Sequence, residues 1–177
     1  RQILKKIRAD RTGYFWFTGL PGTGKTLLLY DIAMKLSGRQ RVCMIHCGEA
    51  GKEWKVLHER LRRVEYLAED SVQTGAEIRF EAYSAILVDE AHLLSPNTLE
   101  ILLEIGKTRP VIFSSNCEDM ISPEELDLGA IKLLGEQPGI QTFHLTNRIR
   151  ANAELSYFIQ NMMHLPHGRG MRHYPHV

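Results

Sequence analysis

The chain has 177 residues and a net charge of +1, enough length for one domain with a sizeable core and no strong global bias toward acidic or basic partners. Its longest apolar runs are strand-length, so no transmembrane segment is expected, and the opening RQILKKIRAD is charged and amphipathic, without the apolar run of a secretory signal. The three cysteines, Cys43, Cys47 and Cys117, have no C-x-x-C spacing and read as reduced thiols in a cytosol, which makes the expected location cytoplasmic.

In chain order, residues 2–9 suggest a short helix with Ile3, Leu4 and Ile7 on one side. Tyr14–Thr18 is an aromatic-rich strand, and a helix follows from about Lys25 to Leu36, stopped by Ser37-Gly38. Val42–Cys47 is the next strand, broken by Gly48 and Gly51. It contains Cys43-x-x-His46-Cys47, where alternation across a sheet points to core packing rather than a metal site. Trp54, Leu57, Leu61, Val64 and Leu67 have helical spacing, predicting a helix over 52–68. The stretch 69–83 is polar and undecided. Ser84–Val88 is a strand, Pro96 with Leu99, Leu102, Leu103 and Ile105 gives a helix ending near Gly106, and Val111–Ser115 is a strand. Ser122-Pro123-Glu124-Glu125 has the form of a capping box at a helix start. Gln141–Leu145 is a last strand, and Asn152 caps a helix carrying Leu155, Phe158, Ile159 and Met162.

This alternation predicts a three-layer α/β/α domain with a mostly parallel sheet of about five strands. Such sheets bind ligands beyond the C-terminal ends of their strands. Two segments say which ligand. GLPGTGKT at 19–26 fits G-x-x-x-x-G-K-[ST], a loop whose backbone N–H groups close around phosphates. Gly19, Pro21, Gly22, Thr23, Gly24, Lys25, Thr26 and Leu27 are its candidate nucleotide-binding residues, with Lys25 for the β- and γ-phosphates and the Thr26 hydroxyl for Mg²⁺. About sixty residues on, AILVDEAH ends an apolar run in paired carboxylates. Asp89 is the candidate for the metal side, and Glu90, one residue further past the strand, for polarising an attacking water. A pair of helix-start acids would look the same in isolation; the upstream phosphate loop favours the chemistry, with ATP and Mg²⁺ as ligands.

With both motifs in place, the chain resembles the additional-strand catalytic-glutamate class of P-loop ATPases, which includes helicases, RecA-like motors and AAA+ proteins. The resemblance implies an extra strand between the phosphate-loop strand and the carboxylate strand, ending in a polar sensor of the γ-phosphate. Val111–Ser115 would be that strand and Asn116 the sensor, with Ser114 or Ser115 as substitutes. LTNRIRAN at 145–152 looks like the superfamily 1 helicase motif at the end of a first motor domain. Together with DEAH and the downstream AELSYFIQNM, it is similar to the bacterial Schlafen-group-3-like DNA/RNA helicase family, over roughly residues 12–163. That similarity implies a RecA-like domain at 1–165 and an Arg approaching the γ-phosphate, which matches Arg150, with Arg148 nearby. Residues 166–177 read as a flexible tail or the start of a downstream region, their histidines lacking any acid or cysteine to fix a metal geometry.

The departures bear on function. Where superfamily 1 helicases carry a Gly-Asp-x-x-Gln type segment this chain has SSNCEDM, and no second motor domain is visible. Superfamily 2 helicases also carry DEAH but follow it with a Ser-Ala-Thr motif, which Ser114-Ser115-Asn116 replaces only loosely. His92 either links the nucleotide site to its surroundings or starts a helix. Basic residues cluster at Lys52, Lys55, Arg60, Arg62 and Arg63, as a solvated helix face or a contact for single-stranded DNA or RNA. Trp54, Tyr66, Phe80 and Tyr83 are candidates for base stacking, Trp54 fitting the core better and Tyr83 staying open. The expected activity is ATP hydrolysis by a helicase-like motor domain that needs a second motor domain or a partner subunit. The rival expectation is a nucleotide-dependent switch or interaction module with little turnover and no nucleic-acid substrate.

Overall fold

The computed structural model describes residues 2–19, 25–48, 59, 61–73, 78–116 and 129–145. Six strands, β1 (Gly13–Gly19), β2 (Val42–His46), β3 (Val64–Ala68), β4 (Ala85–Asp89), β5 (Pro110–Asn116) and β6 (Gln141–Leu145), form one sheet in the order β3-β2-β4-β5-β1-β6. Every pairing is parallel. Five described helices accompany it: α1 (Gln2–Asp10), α2 (Lys25–Ser37), α3 (Glu69–Gln73), α4 (Pro96–Ile105) and α5 (Ala130–Glu136).

The aromatic run of β1 shows why the sheet is covered on both sides. Successive side chains of a strand point to opposite faces. Phe15 and Phe17 therefore pack with Ile7 of α1 and with Leu29, Tyr30 and Ile32 of α2, while Tyr14 and Trp16 face Leu99 and Leu102 of α4 and Ile131 and Leu134 of α5. Phe15, Phe17 and Phe113 are fully buried, each contributing about 1.5–3 kcal/mol of hydrophobic stabilisation. The edge strand β6 has one-sided cover, with Phe143 and Leu145 half-buried and Thr142 and His144 exposed. Ser95 caps α4 by accepting the Thr98 N–H, and Pro96 occupies the first turn, where its missing N–H costs nothing. At the other end of α4, a Cβ on Gly106 would lie 2.0 Å from the Tyr14 ring, so only glycine fits that contact with β1.

Among the described residues the sheet has six strands rather than about five, because Val64–Ala68 is a strand and not the end of a helix over 52–68. Leu61, Val64 and Leu67 satisfy helical spacing, but Val64 and Tyr66 favour an extended chain and Val64 pairs directly with Val42 of β2. Residues 52–58 and 60 lie outside the described residues. The undecided stretch 69–83 contains α3 and a 3₁₀ turn at Phe80–Ala82. Helix α5 had no counterpart in the sequence reading. The capping box at 122–125, Gly51, Cys117 and everything after Leu145 also lie outside the described residues. Cys43 and Cys47 are buried in the core as free thiols, and burial pushes Cys43 up to about 12 and Cys47 up as well. Among the described residues no helix is long and apolar enough to cross a membrane.

Candidate active site at the C-terminal edge of the sheet

β1 ends at Gly19, beside Asn116 at the end of β5, and α2 begins at Lys25. The first turn of α2 thus stands over the C-terminal ends of the central strands, and its free N–H groups and dipole favour an anion there. Lys25 is only 8% exposed, and its ammonium donates to the Gly19 carbonyl at 3.1 Å. The helix turns Thr26 toward β4. Its hydroxyl Oγ1 lies 3.4 Å from both carboxylate oxygens of Asp89. Ala85 and Leu87 pack on the α2 side of the sheet, so alternation puts Asp89 on that side too.

Asp89 is 5% exposed, and burial, reinforced by the charge of Glu90, pushes its carboxyl up to about 6. The Glu90 N–H at 3.1 Å, the Thr26 hydroxyl and the Lys25 charge act the other way without cancelling the effect. A buried carboxylate with a hydroxyl beside it is a pair of hard oxygen donors, the type that Mg²⁺ takes alongside water and phosphate oxygens, and a cation there would favour the ionised form. The donor set therefore fits a magnesium ion. A second observation agrees. Ser114, one residue past the β4–β5 pair of Val88 and Phe113, as Asp89 is on its own strand, has a buried hydroxyl with no hydrogen-bond partner among the described residues.

Just past β4 the chain turns sharply. Glu90 sits at φ 55° and ψ 45°, left-handed backbone that non-glycine residues seldom adopt, and a 3₁₀ turn over Ala91–Leu93 follows. The turn leaves the Glu90 side chain 41% exposed and buries His92. His92 Nε2 lies 3.1 Å from Glu90 Oε2, and His92 Nδ1 accepts the Asn116 N–H at 3.4 Å. An accepting Nδ1 leaves the ring proton on Nε2, so the imidazole donates to Glu90. His92 thus bridges the Glu90 carboxylate and the Asn116 backbone, and the turn that carries it is 3₁₀.

The structure brings Lys25, Thr26, Asp89, Glu90 and Asn116 to one edge of the sheet, with β5 between β4 and β1. Ser115 is engaged, since its hydroxyl accepts from Trp16 Nε1 at 2.8 Å and donates to the Asn116 carbonyl. Pro21, Gly22, Thr23, Gly24, Arg148, Arg150 and the side chain of Leu27 lie outside the described residues. Tyr83 is buried, with the Arg41 guanidinium 5.4 Å from its ring centroid, so it offers no stacking surface. One contact escaped the sequence reading altogether: Thr18 and His144 Nδ1 lie 2.7 Å apart, tying β1 to β6 across 126 residues of chain, a separation over which no local pattern signals contact.

Among solved structures, the flagellar accessory protein FlaH of Methanocaldococcus jannaschii matches with a TM-score of 0.50 and 14% identity over 72% of each chain. The Hef helicase domain of Pyrococcus furiosus (TM-score 0.44, 20% identity) is matched over 81% of this chain and 38% of that one. Pif1 helicase of Candida albicans (TM-score 0.45, 17% identity) is matched over 89% and 41%. The chain thus spans well under half the length of either helicase structure. No curated protein matches it in sequence. The model of the ATPase family associated with various cellular activities (AAA) matches residues 15–124. That span runs from β1 through the phosphate loop, Asp89 and Glu90 to just beyond Asn116, more than half of the chain, and the protein belongs to the AAA family of P-loop ATPases.

Proposed function

We propose that this domain binds Mg²⁺-ATP at the C-terminal edge of the sheet and hydrolyses it as the motor domain of a larger helicase-like protein. The observation that carries the reading is the convergence of Lys25, the Thr26–Asp89 pair and Glu90 at the mouth of the phosphate loop. Lys25 would leave the Gly19 carbonyl for the β- and γ-phosphates, a neutral acceptor exchanged for an anionic one. Thr26 directly, and Asp89 through water, would hold Mg²⁺, which when bound neutralises charge on the β- and γ-oxygens. Glu90 would take a proton from water as its oxygen bonds to the γ-phosphorus. The bond to the β–γ bridging oxygen breaks, and ADP and phosphate leave. His92, by donating to one Glu90 oxygen, would leave the other directed at the water. Asn116 is the sensor of the γ-phosphate in this reading, with Ser114 as its substitute, and Arg150 stabilises charge in the transition state. The helicase-like assignment rests on the DEAH segment and on LTNRIRAN at 145–152.

The test is single-strand-stimulated phosphate release. The isolated chain is expected to bind nucleotide well and turn it over slowly, because an arginine supplied by another domain can be worth about 10³–10⁵ in phosphoryl transfer. Single-stranded DNA or RNA should raise the rate. Nucleotide binding without any such stimulation, in the longer protein as well, would favour the switch module instead.

A further inference from the structure

The basic residues scattered along the sequence are collected by the topology at the edge of the sheet opposite the nucleotide site. Arg11 precedes β1, Arg39 and Arg41 precede β2, Arg62 and Arg63 precede β3, and Arg109 precedes β5. In the order β3-β2-β4-β5-β1 these form a row to which four of the five adjacent strands contribute, β4 being preceded by Ser84, and which spans about 19 Å at roughly 4.8 Å per strand. The other edge carries Asp89, Glu90 and Glu69 together with Lys25. Within the row lies a cleft of about 870 Å³, lined by Arg8, Arg11, Lys35 and Arg39 with the half-buried Leu36 beside them, and with no carboxylate in its lining.

Some of these cations are already engaged. Lys35 pairs with Asp31 at 2.8 Å, Arg41 faces Glu65 at 3.7 Å, and Arg8 and Arg63 each donate to a main-chain carbonyl, of Lys35 and Gly38. A guanidinium has five donors, so one such bond anchors it and leaves others facing outward. Arg8, Arg11, Arg39, Arg62 and Arg63 are exposed and have no carboxylate partner among the described residues. Arg11 also holds φ at +58°, just past the end of α1, in left-handed backbone where glycine is favoured. The residue under strain is one whose side chain lines the cleft.

We propose that this N-terminal sheet edge is a second binding face, which takes the phosphodiester backbone of a single nucleic-acid strand. A row of cations spaced over several strands suits a linear polyanion better than a compact one. The half-buried Leu36 beside the cations offers apolar contact to an unpaired base, which a duplex keeps stacked. The proposal rests on the helicase-like reading and adds where the strand lies: on the face opposite the ATP site, so that strand contact and nucleotide contact do not compete for the same groups.

The experiment is fluorescence anisotropy of a labelled single-stranded homopolymer on the whole chain, alongside titration of a fluorescent ATP analogue. About four phosphate contacts give a salt slope of roughly −2.8, or about a fifty-fold loss of affinity between 50 and 200 mM salt. Arg11→Glu with Arg39→Glu should weaken the strand at least tenfold at low salt and flatten that slope, with ATP-analogue affinity unchanged. Arg11→Gly separates charge from folding: it relieves the backbone and should keep or raise Tm while still weakening the strand. Strand binding unaltered in the double variant would overturn the proposal. So would a wild-type chain that binds no strand but sediments with phosphatidylserine vesicles or captures an acidic peptide. If that chain still binds the ATP analogue, the nucleotide site stands and only this face is lost. Failure with the analogue as well would reject the phosphate-loop reading itself.

Discussion

His92 and Glu90 are joined at 3.1 Å through Nε2 and Oε2, and the other nitrogen of the same buried ring accepts the Asn116 N–H. One imidazole therefore connects the end of the carboxylate strand to the end of the strand beside it. Glu90 sits in left-handed backbone outside the strand, and among the described residues His92 is the side chain bonded to its carboxylate. His92→Ala is expected to slow hydrolysis by about ten- to a hundredfold, since small misplacements of a reacting group have effects of that size. The loss should fall on kcat, with KM little changed. His92→Gln, whose amide can still donate to Glu90, should recover part of the rate. Steady-state kinetics of the two variants checks this, and equal losses in both would reduce His92 to a packing role.

Lys25→Ala removes the charge aimed at the β- and γ-phosphates. A hydrogen bond to a charged group is worth about 1.5–3 kcal/mol, so nucleotide affinity should drop roughly ten- to 150-fold. Titration with a fluorescent ATP analogue, beside a thermal melt to show a folded protein, measures it. Unchanged affinity in a folded variant would remove the central claim.

Glu90→Gln keeps the shape of the side chain and loses its basicity. Hydrolysis should fall by about 10²–10⁴-fold, the usual contribution of a general base, while Mg²⁺-ATP binding stays near normal. Phosphate release at the parental rate would show that another group activates the water.

The orphaned hydroxyl of Ser114 gives a prediction in which stability and activity separate. Removing a buried polar group that has no partner among the described residues should leave stability unchanged or raise it by about 1 kcal/mol. A Ser114→Ala melt that drops instead would show that the hydroxyl is bonded. Slower hydrolysis in the same variant would assign it to the γ-phosphate, and unchanged hydrolysis would leave that role with Asn116.

Alkaline pH should destabilise the fold. Burial raises the Cys43 thiol from 9.0 to about 12 and raises Cys47 in the same direction. The folded state thus holds protons that the unfolded state releases above about pH 9. Their contribution is complete below the unfolded value and is lost as pH climbs from about 9 toward 12. Urea unfolding across that range should show falling midpoints, and Cys43→Ala should flatten the dependence. At neutral pH a thiol reagent should label both cysteines slowly until the protein unfolds.

The strand and helix that flank the glycine-rich segment, the carboxylate strand and the strand ending in Asn116 were legible in the sequence because each is a local pattern: an aromatic run before a glycine spacing, an apolar run ending in acids, a buried parallel strand. Val64–Ala68 was not, since five residues that fit both periods have no local signal strong enough to choose, and pairing with Val42 decides. The left-handed turn at Glu90 and the burial of His92 depend on how the chain leaves β4 beside β5, a relationship between strands distant in sequence. The same holds for the arginine row. The sequence by itself determined which residues are charged and which chemistry they can perform. The tertiary structure decided that acids stand at one end of the strands and arginines at the other, because parallel pairing aligns all strand starts on one edge and all strand ends on the other.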